Sequence, residues 1–157
     1  AAIFGLLPEP VAAMVQRAKT EPEILETEIA AGATAEWLWQ MIEMMSGSQD
    51  RAYYASADFA PAYKEALAAG FRQGAAGYAR DTILAMAPWP FKAEAVSCPV
   101  YLWYGLEDTS PVHSPDFGAT LLKRFPSAER TCFAGEGSAI LWTKAGEILK
   151  KIAGATV

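Results

Sequence analysis

Residues 99–108 have the sequence Pro-Val-Tyr-Leu-Trp-Tyr-Gly-Leu-Glu-Asp. The apolar run within it is short and continuous and ends at Gly105, a pattern typical of a parallel strand that is buried on both faces. The stretch from Glu129 to Ala134 is more polar and predicts a second strand, of the kind found at a sheet edge. Together the two stretches predict a parallel sheet.

A helix is expected after each of these strands. Ser114-Pro115-Asp116 has the order of a helix start, with a serine cap, a proline at the first helical position and an acid at the positive end of the helix dipole. Gly135-Glu-Gly137 turns into the last helix, whose apolar residues follow at helical spacing. Residues 91–157 are thus predicted to be an α/β segment in the order strand, helix, strand, helix.

Residues 1–90 have a different character. They are rich in alanine, methionine and tryptophan at helical spacing, and no stretch in them alternates strictly as a half-buried strand does. One helix is predicted from about Thr34 to Met45, and another by the aromatic and leucine residues that recur every four positions from Phe59 to Phe71. We therefore expect a helical unit over residues 1–90.

Composition excludes several classes of function. With 52% hydrophobic and 20% charged residues, the chain of 157 residues has the profile of one packed globular unit. Its net charge of −5 and its lack of a basic run argue against nucleic-acid binding, and its apolar stretches are too short to cross a membrane. Two cysteines with no zinc-binding spacing fit a cytoplasmic protein, and neither a metal nor an organic cofactor is expected.

The predicted sheet lacks neighbours. A strand with two apolar faces needs helices above and below it and a neighbouring strand along each edge. The sequence provides one such neighbour, and a sheet of two parallel strands is too small to be stable alone. We expect the bare edge to be covered by an upstream polypeptide, by a second copy of the chain, or by a strand hidden within residues 1–90.

The segment from Cys98 to Asp108, with Pro111 and a helix after it, resembles the end of the α/β-hydrolase fold. The resemblance continues through a helix that ends in Phe125-Pro126, a short edge strand and Gly135-Glu-Gly137 before the last helix. Trp89-Pro90-Phe91 is also typical of peptidase- and esterase-like members of that superfamily.

This resemblance, which covers about residues 77–152, implies a partial α/β-hydrolase fold. Residues 1–90 would be the helical cap, or lid, and residues 91–157 the last two parallel strands of the sheet with their helices. The implied activity is the hydrolysis of an ester, amide or lactone by a Ser-His-Asp triad, as in esterases and proline iminopeptidases.

Asp108 corresponds to the acid of that triad, and an acid just beyond a buried strand can orient an imidazole and stabilise its cation. The alternative is an aspartate that only hydrogen-bonds its own turn. Ser138 stands where relatives carry the catalytic histidine. Serine is not a general base near neutral pH, and we expect it to be the N-cap of the last helix.

Other parts of a triad are missing from the sequence. His113 is the only histidine, and we do not expect it to replace the missing base, because it follows Asp108 by only five residues, where relatives often have an unremarkable polar residue. No Gly-x-Ser-x-Gly motif is present to supply the nucleophile. Trp37, Trp39 and Met41 lie on a helix with two apolar faces, so they either pack in the core or line an apolar pocket of the lid.

Two hypotheses follow. In the first, the chain is the C-terminal part of an α/β-hydrolase that supplies Asp108 and acts on a small-molecule substrate. The nucleophile then comes from another polypeptide, an N-terminal hydrolase polypeptide, or from residues that precede this sequence. In the second, it is a non-catalytic pseudo-hydrolase or a module that binds a ligand or partner.

Overall fold

The structure is a computed structural model that describes residues 3–154. It is a mixed α/β structure, mostly helical, with one small parallel sheet. The first part contains six helices within the described residues: α1 (Glu9–Thr20), α2 (Pro22–Gly32), α3 (Ala35–Met45), α4 (Ser48–Tyr54), α5 (Ala60–Gly70) and α6 (Ala76–Met86). The second part contains β1 (Val100–Gly105), α7 (Ala119–Arg124), β2 (Ala128–Phe133), α8 (Ile140–Thr143) and α9 (Ala145–Gly154), and short 3-10 turns lie at Ile3–Leu6 and Ala93–Ala95.

Two apolar clusters hold the helices together. In the first, Ala18 of α1, Leu25 of α2 and Ile83 of α6 are buried against one another. In the second, Trp39 and Tyr54 are buried together with Ala139, which lies just before α8. The second cluster therefore joins the helical part to the α/β part.

The helix boundaries follow local chemistry in several places. The Thr34 hydroxyl accepts the backbone N–H of Trp37 at 3.1 Å and caps α3, which begins where the sequence predicts a helix. Pro22 is at the first position of α2, where its missing N–H has no consequence. The stripe that begins at Phe59 packs on the second cluster through Phe59, Tyr63 and Leu67.

The sheet consists of β1 and β2, paired in parallel from Val100 opposite Ala128 to Gly105 opposite Phe133. The prediction of two parallel strands is confirmed. β1 was also predicted to be buried on both faces. In the structure of residues 3–154, all its residues except Gly105 are only half-buried. Within the same residues β1 pairs with another strand along one edge alone, which accounts for that exposure.

The helix predicted from Ser114 begins one turn later, at Ala119. Phe117 and Gly118 have φ angles of 49° and 75°, and a right-handed helix cannot pass through two left-handed residues. Asp116 takes the role expected of Ser114, since its carboxylate accepts the backbone N–H of Thr120 at 2.8 Å. The Ser114 hydroxyl instead accepts the N–H of Gly118 at 3.0 Å, inside the turn.

The last predicted helix is divided at Lys144 into α8 and α9. Ile148 of α9 is buried, but Leu149 and Ile152 are 64% and 54% exposed, so α9 presents an apolar face to solvent. None of the helices within residues 3–154 combines the length and the apolar composition needed to span a membrane.

Candidate functional site

The turn after β1 fixes Asp108 in place. The backbone N–H of Asp108 donates to the carbonyl of Gly105 at 3.3 Å, which closes the turn. One carboxylate oxygen of Asp108, Oδ1, accepts the backbone N–H of Ser110 at 2.9 Å. The side chain is only 12% exposed. Asp108 therefore does hydrogen-bond its own turn, and it does so with one of its two oxygens.

The other oxygen of Asp108, Oδ2, contacts the single histidine. Nδ1 of His113 lies 2.7 Å from it, and about half of the imidazole is exposed, at 49%. The hydrogen bond to Asp108 raises the pKa of His113 above its usual value, with a further contribution from the charge of Asp50. The geometry thus brings together two residues that the sequence interpretation kept apart.

This pairing has the form of an acid that orients a base. A carboxylate on Nδ1 fixes the tautomer that has its proton on Nδ1, and it stabilises the imidazolium when Nε2 takes up a second proton. Nε2 lies outside the bond to Asp108 and is the nitrogen that remains for proton transfer.

Ser138 has a different environment from the one expected. It does not cap α8: the cap residue is Ala139, and no side chain of the cap accepts an N–H. Instead the backbone N–H and the hydroxyl of Ser138 both donate to Oδ2 of Asp50, at 2.8 and 2.9 Å. The backbone N–H of Ala139 donates to Oδ1 of Asp50 at 3.0 Å. The acceptor at the start of α8 is thus a carboxylate from α4.

Asp50 is the one charged residue that is buried in the described chain, at 2% exposure. Its carboxylate accepts three hydrogen bonds from Ser138 and Ala139. These bonds offset the burial of the charge, since an unpaired charge in the interior is strongly unfavourable. Sequence reasoning missed this residue. Asp50 is separated from Ser138 by 88 residues, and nothing in the local pattern around it signals a distant partner.

The turns that hold Asp108 and Ser138 touch each other. The backbone N–H of Glu107 donates to the carbonyl of Glu136 at 2.8 Å. A Cβ atom on Gly105 would collide with the carbonyls of Glu136 and Gly137, and one on Gly137 would collide with the carboxylate of Asp50. Only glycine fits at these two positions, so the Gly-Glu-Gly motif closes the end of β1 by direct backbone contact.

Tyr54 of α4 completes this side of the site. Its hydroxyl lies 3.4 Å from the hydroxyl of Ser138, and its ring is buried in the second cluster. Burial raises the pKa of Tyr54 above its usual value, and the nearby carboxylates of Asp50 and Asp108 act in the same direction. Tyr54 therefore stays a neutral hydroxyl at physiological pH.

A cavity of about 560 Å³ lies between α1, α2, α3 and α6, and Val112 forms part of its wall. Val112 directly precedes His113 in the chain, so the cavity and the imidazole share one loop. Trp37 and Met41 line this cavity. Trp39 does not: it is 5% exposed in the second cluster, where its ring meets that of Tyr63.

Residues 3–154 contain no cluster of three or more histidine, cysteine, aspartate or glutamate side chains suited to a metal ion. A scan of the chain against models of protein families finds no match, and a search of curated proteins finds none either.

Proposed function

We propose that this chain is the C-terminal part of an α/β-hydrolase and that Asp108 and His113 form the acid and imidazole of its catalytic machinery. The 2.7 Å contact between Asp108 Oδ2 and His113 Nδ1 carries the proposal. Its support is the position of the pair, at the carboxyl end of a parallel strand, with one carboxylate oxygen held by the turn and the other by the ring. The reaction is the hydrolysis of an ester, amide or lactone.

In this reaction His113 moves the protons. A hydroxyl nucleophile attacks the substrate carbonyl carbon while Nε2 accepts the hydroxyl proton, and the imidazolium then donates that proton to the departing alcohol or amine. Water repeats the two steps on the acyl intermediate, which restores the hydroxyl and releases the acid. Asp108 stays ionised throughout and stabilises the imidazolium through Nδ1.

The nucleophile lies outside residues 1–157, in an N-terminal hydrolase segment, upstream in the same protein or on a separate polypeptide, that covers the open edge of β1. Two observations on the described residues support such a partner. The residues of β1 other than Gly105 are only half-buried, and Leu149 and Ile152 of α9 are exposed. A parallel strand and an amphipathic helix with these faces are stable when another layer packs on them.

The competing proposal is a non-catalytic pseudo-hydrolase that binds a ligand or a partner. The environment of Ser138 favours it, because the position that holds histidine in relatives is occupied by a side chain fixed on Asp50. In that protein the pair of Asp108 and His113 would only stabilise its loop.

Hydrolysis of short-chain p-nitrophenyl esters separates the two functions. The full chain is assayed alone and with any polypeptide that co-purifies with it, and hydrolysis is expected from the complex. His113→Gln should lower the rate about 100-fold or more, since positioned acid and base groups contribute about 10² to 10⁴. Ser138→His should bring no gain.

The opposite results overturn the proposal. A gain in rate from Ser138→His, with His113→Gln as active as the unaltered complex, would assign the base to position 138. A complex of this chain with the N-terminal hydrolase segment that shows no hydrolysis would support the non-catalytic function.

A further inference from the structure

The cavity between α1, α2, α3 and α6 has a lining that specifies the kind of ligand it accepts. Most of its wall consists of apolar side chains, four of them methionines. Flexible thioether side chains adapt to ligands of different shape, as the apolar surfaces of binding pockets commonly do. The apolar part of the lining is Met14, Leu25, Ile29, Ala33, Trp37, Leu38, Met41, Met45, Ala85, Met86 and Val112.

The charged residues of the lining, Arg17 and Glu28, neutralise each other. Nη1 and Nη2 of Arg17 donate to the two carboxylate oxygens of Glu28, at 2.8 and 3.0 Å. Nε of Arg17 donates to Glu21 at 2.6 Å. All three guanidinium nitrogens are thus engaged by carboxylates, and the described lining offers no unpaired charge to an ionic ligand.

The other polar side chains of the wall, Tyr78 and Thr82, are uncharged. The Thr82 hydroxyl donates to the carbonyl of Tyr78 at 2.8 Å, so its oxygen remains an acceptor. Burial raises the pKa of Tyr78, which keeps its phenol protonated. These groups suit a ligand with an uncharged polar group, such as an alcohol, ester or amide.

We infer that this cavity binds an uncharged, predominantly apolar small molecule and excludes its charged analogues. An ionised carboxylate or ammonium would lose part of its hydration against the apolar wall and gain no unpaired counter-charge. The inference rests on the proposed function in one respect. If the cavity is the substrate site of the proposed hydrolase, the substrate is an uncharged, predominantly apolar molecule. Val112 of the cavity wall directly precedes His113 in the chain, which connects the cavity to the proposed base.

Three probes of equal chain length test the charge selectivity: 1-octanol, octanoate and octylammonium. Binding to the full chain at neutral pH is measured by calorimetry and by NMR of methionine methyl groups labelled with ¹³C. We expect 1-octanol to bind at least tenfold more tightly than either ion. It should shift the methyl signals of the four lining methionines. The methyl signal of Met44, which is 68% exposed and outside the lining, should not change.

Two glycine variants test the place of binding. Gly32 lines the cavity at the end of α2, and Gly70 occupies the same position at the end of α5, away from the cavity. A Cβ atom at either site meets no atom within 4 Å, so both variants should fold. Gly32→Phe should weaken 1-octanol binding at least tenfold, and Gly70→Phe should leave it unchanged.

A third variant tests the role of the ion pair. Glu28→Gln removes the negative charge opposite Nη1 and Nη2 and leaves Glu21 as the one carboxylate bound to Arg17. Octanoate should then bind several-fold more tightly than it does to the unaltered chain, whereas 1-octanol binding should not change.

Each opposite result overturns the inference: octanoate that binds as tightly as 1-octanol, no binding of 1-octanol at millimolar concentration, or binding that Gly32→Phe does not alter. The proposed hydrolysis is judged separately, because the octyl probes are not turned over. His113→Gln should abolish hydrolysis and leave 1-octanol binding intact, so failure of the chemistry and failure of the ligand assignment give different results.

Discussion

The turns that follow the two strands are built in opposite ways. In the turn after β1 the carboxylate has local partners: Asp108 accepts the backbone N–H of Ser110 and contacts the His113 ring, two and five residues further along. The turn after β2 is held from a distance, since Ser138 and Ala139 donate to Asp50 of α4. The His113 imidazole that faces Asp108 is about half exposed, whereas Asp50 and Ala139 are buried. The imidazole of the first pair is therefore open to solvent, whereas the Asp50 carboxylate is enclosed by the fold.

Removing Asp50 should have the largest effect. Asp50→Ala leaves two backbone N–H groups and a hydroxyl without their acceptor in a buried place. Hydrogen bonds to charged groups contribute about 1.5 to 3 kcal/mol each, and we expect a loss of about 4 kcal/mol in the free energy of unfolding. Urea denaturation followed by circular dichroism measures it.

The matched control is Asp58→Ala, a change to an exposed acid for which residues 3–154 show no ion pair. It should alter the free energy of unfolding by less than about 0.5 kcal/mol. Equal stability of the Asp50 and Asp58 variants would contradict the role assigned to the buried carboxylate.

Separating the two turns should have the next largest effect. Gly105→Ala places a methyl group against the carbonyls of Glu136 and Gly137, so backbone must move on one side of the contact. Overpacking of this kind costs about 1 to 3 kcal/mol, and we expect a value near the upper limit. Thermal unfolding of Gly105→Ala and Gly70→Ala compares the effect with that at an uncrowded glycine. A Gly105 variant as stable as the Gly70 variant would show that the turns do not touch.

The smallest effect is expected at Asp108 and His113, and it depends on pH. Because the folded pKa of His113 is raised, the pair stabilises the fold fully below the unfolded pKa of about 6.5 and loses this contribution as pH rises through the folded value. The amount is under about 1 kcal/mol, since the ring is half-exposed.

NMR titration of the single histidine measures this directly. Asp108→Asn should bring the pKa of His113 down toward its usual value and remove the loss of stability at high pH. A pKa that is the same in both proteins would mean that the pair does not form in solution.

Much of the secondary structure is accessible from sequence because it depends on local periodicity. Residues close together in the sequence were enough to predict three elements. These are the strand that ends at Gly105, the helix that starts near Thr34 and the helix with the repeat that begins at Phe59. The start of α7 was misplaced for a physical reason, since Ser114-Pro115-Asp116 has the composition of a cap whether or not left-handed residues follow.

The contacts of the candidate site were harder to predict from the sequence. Asp108 could be located because it follows a recognisable strand. The contact of His113 with it depends on the path of an irregular loop, and the contact of Asp50 with Ser138 depends on how α4 packs on the other half of the chain. Patterns of residue type carry no information on either.

The bonds from Asp50 also limit how the molecule can move. If the helical part swung away as one rigid body, all three hydrogen bonds to Ser138 and Ala139 would break together, and a buried carboxylate would be stripped of its donors. A movement of α1, α2 and α6 in which α4 stays with the strands would keep all three hydrogen bonds.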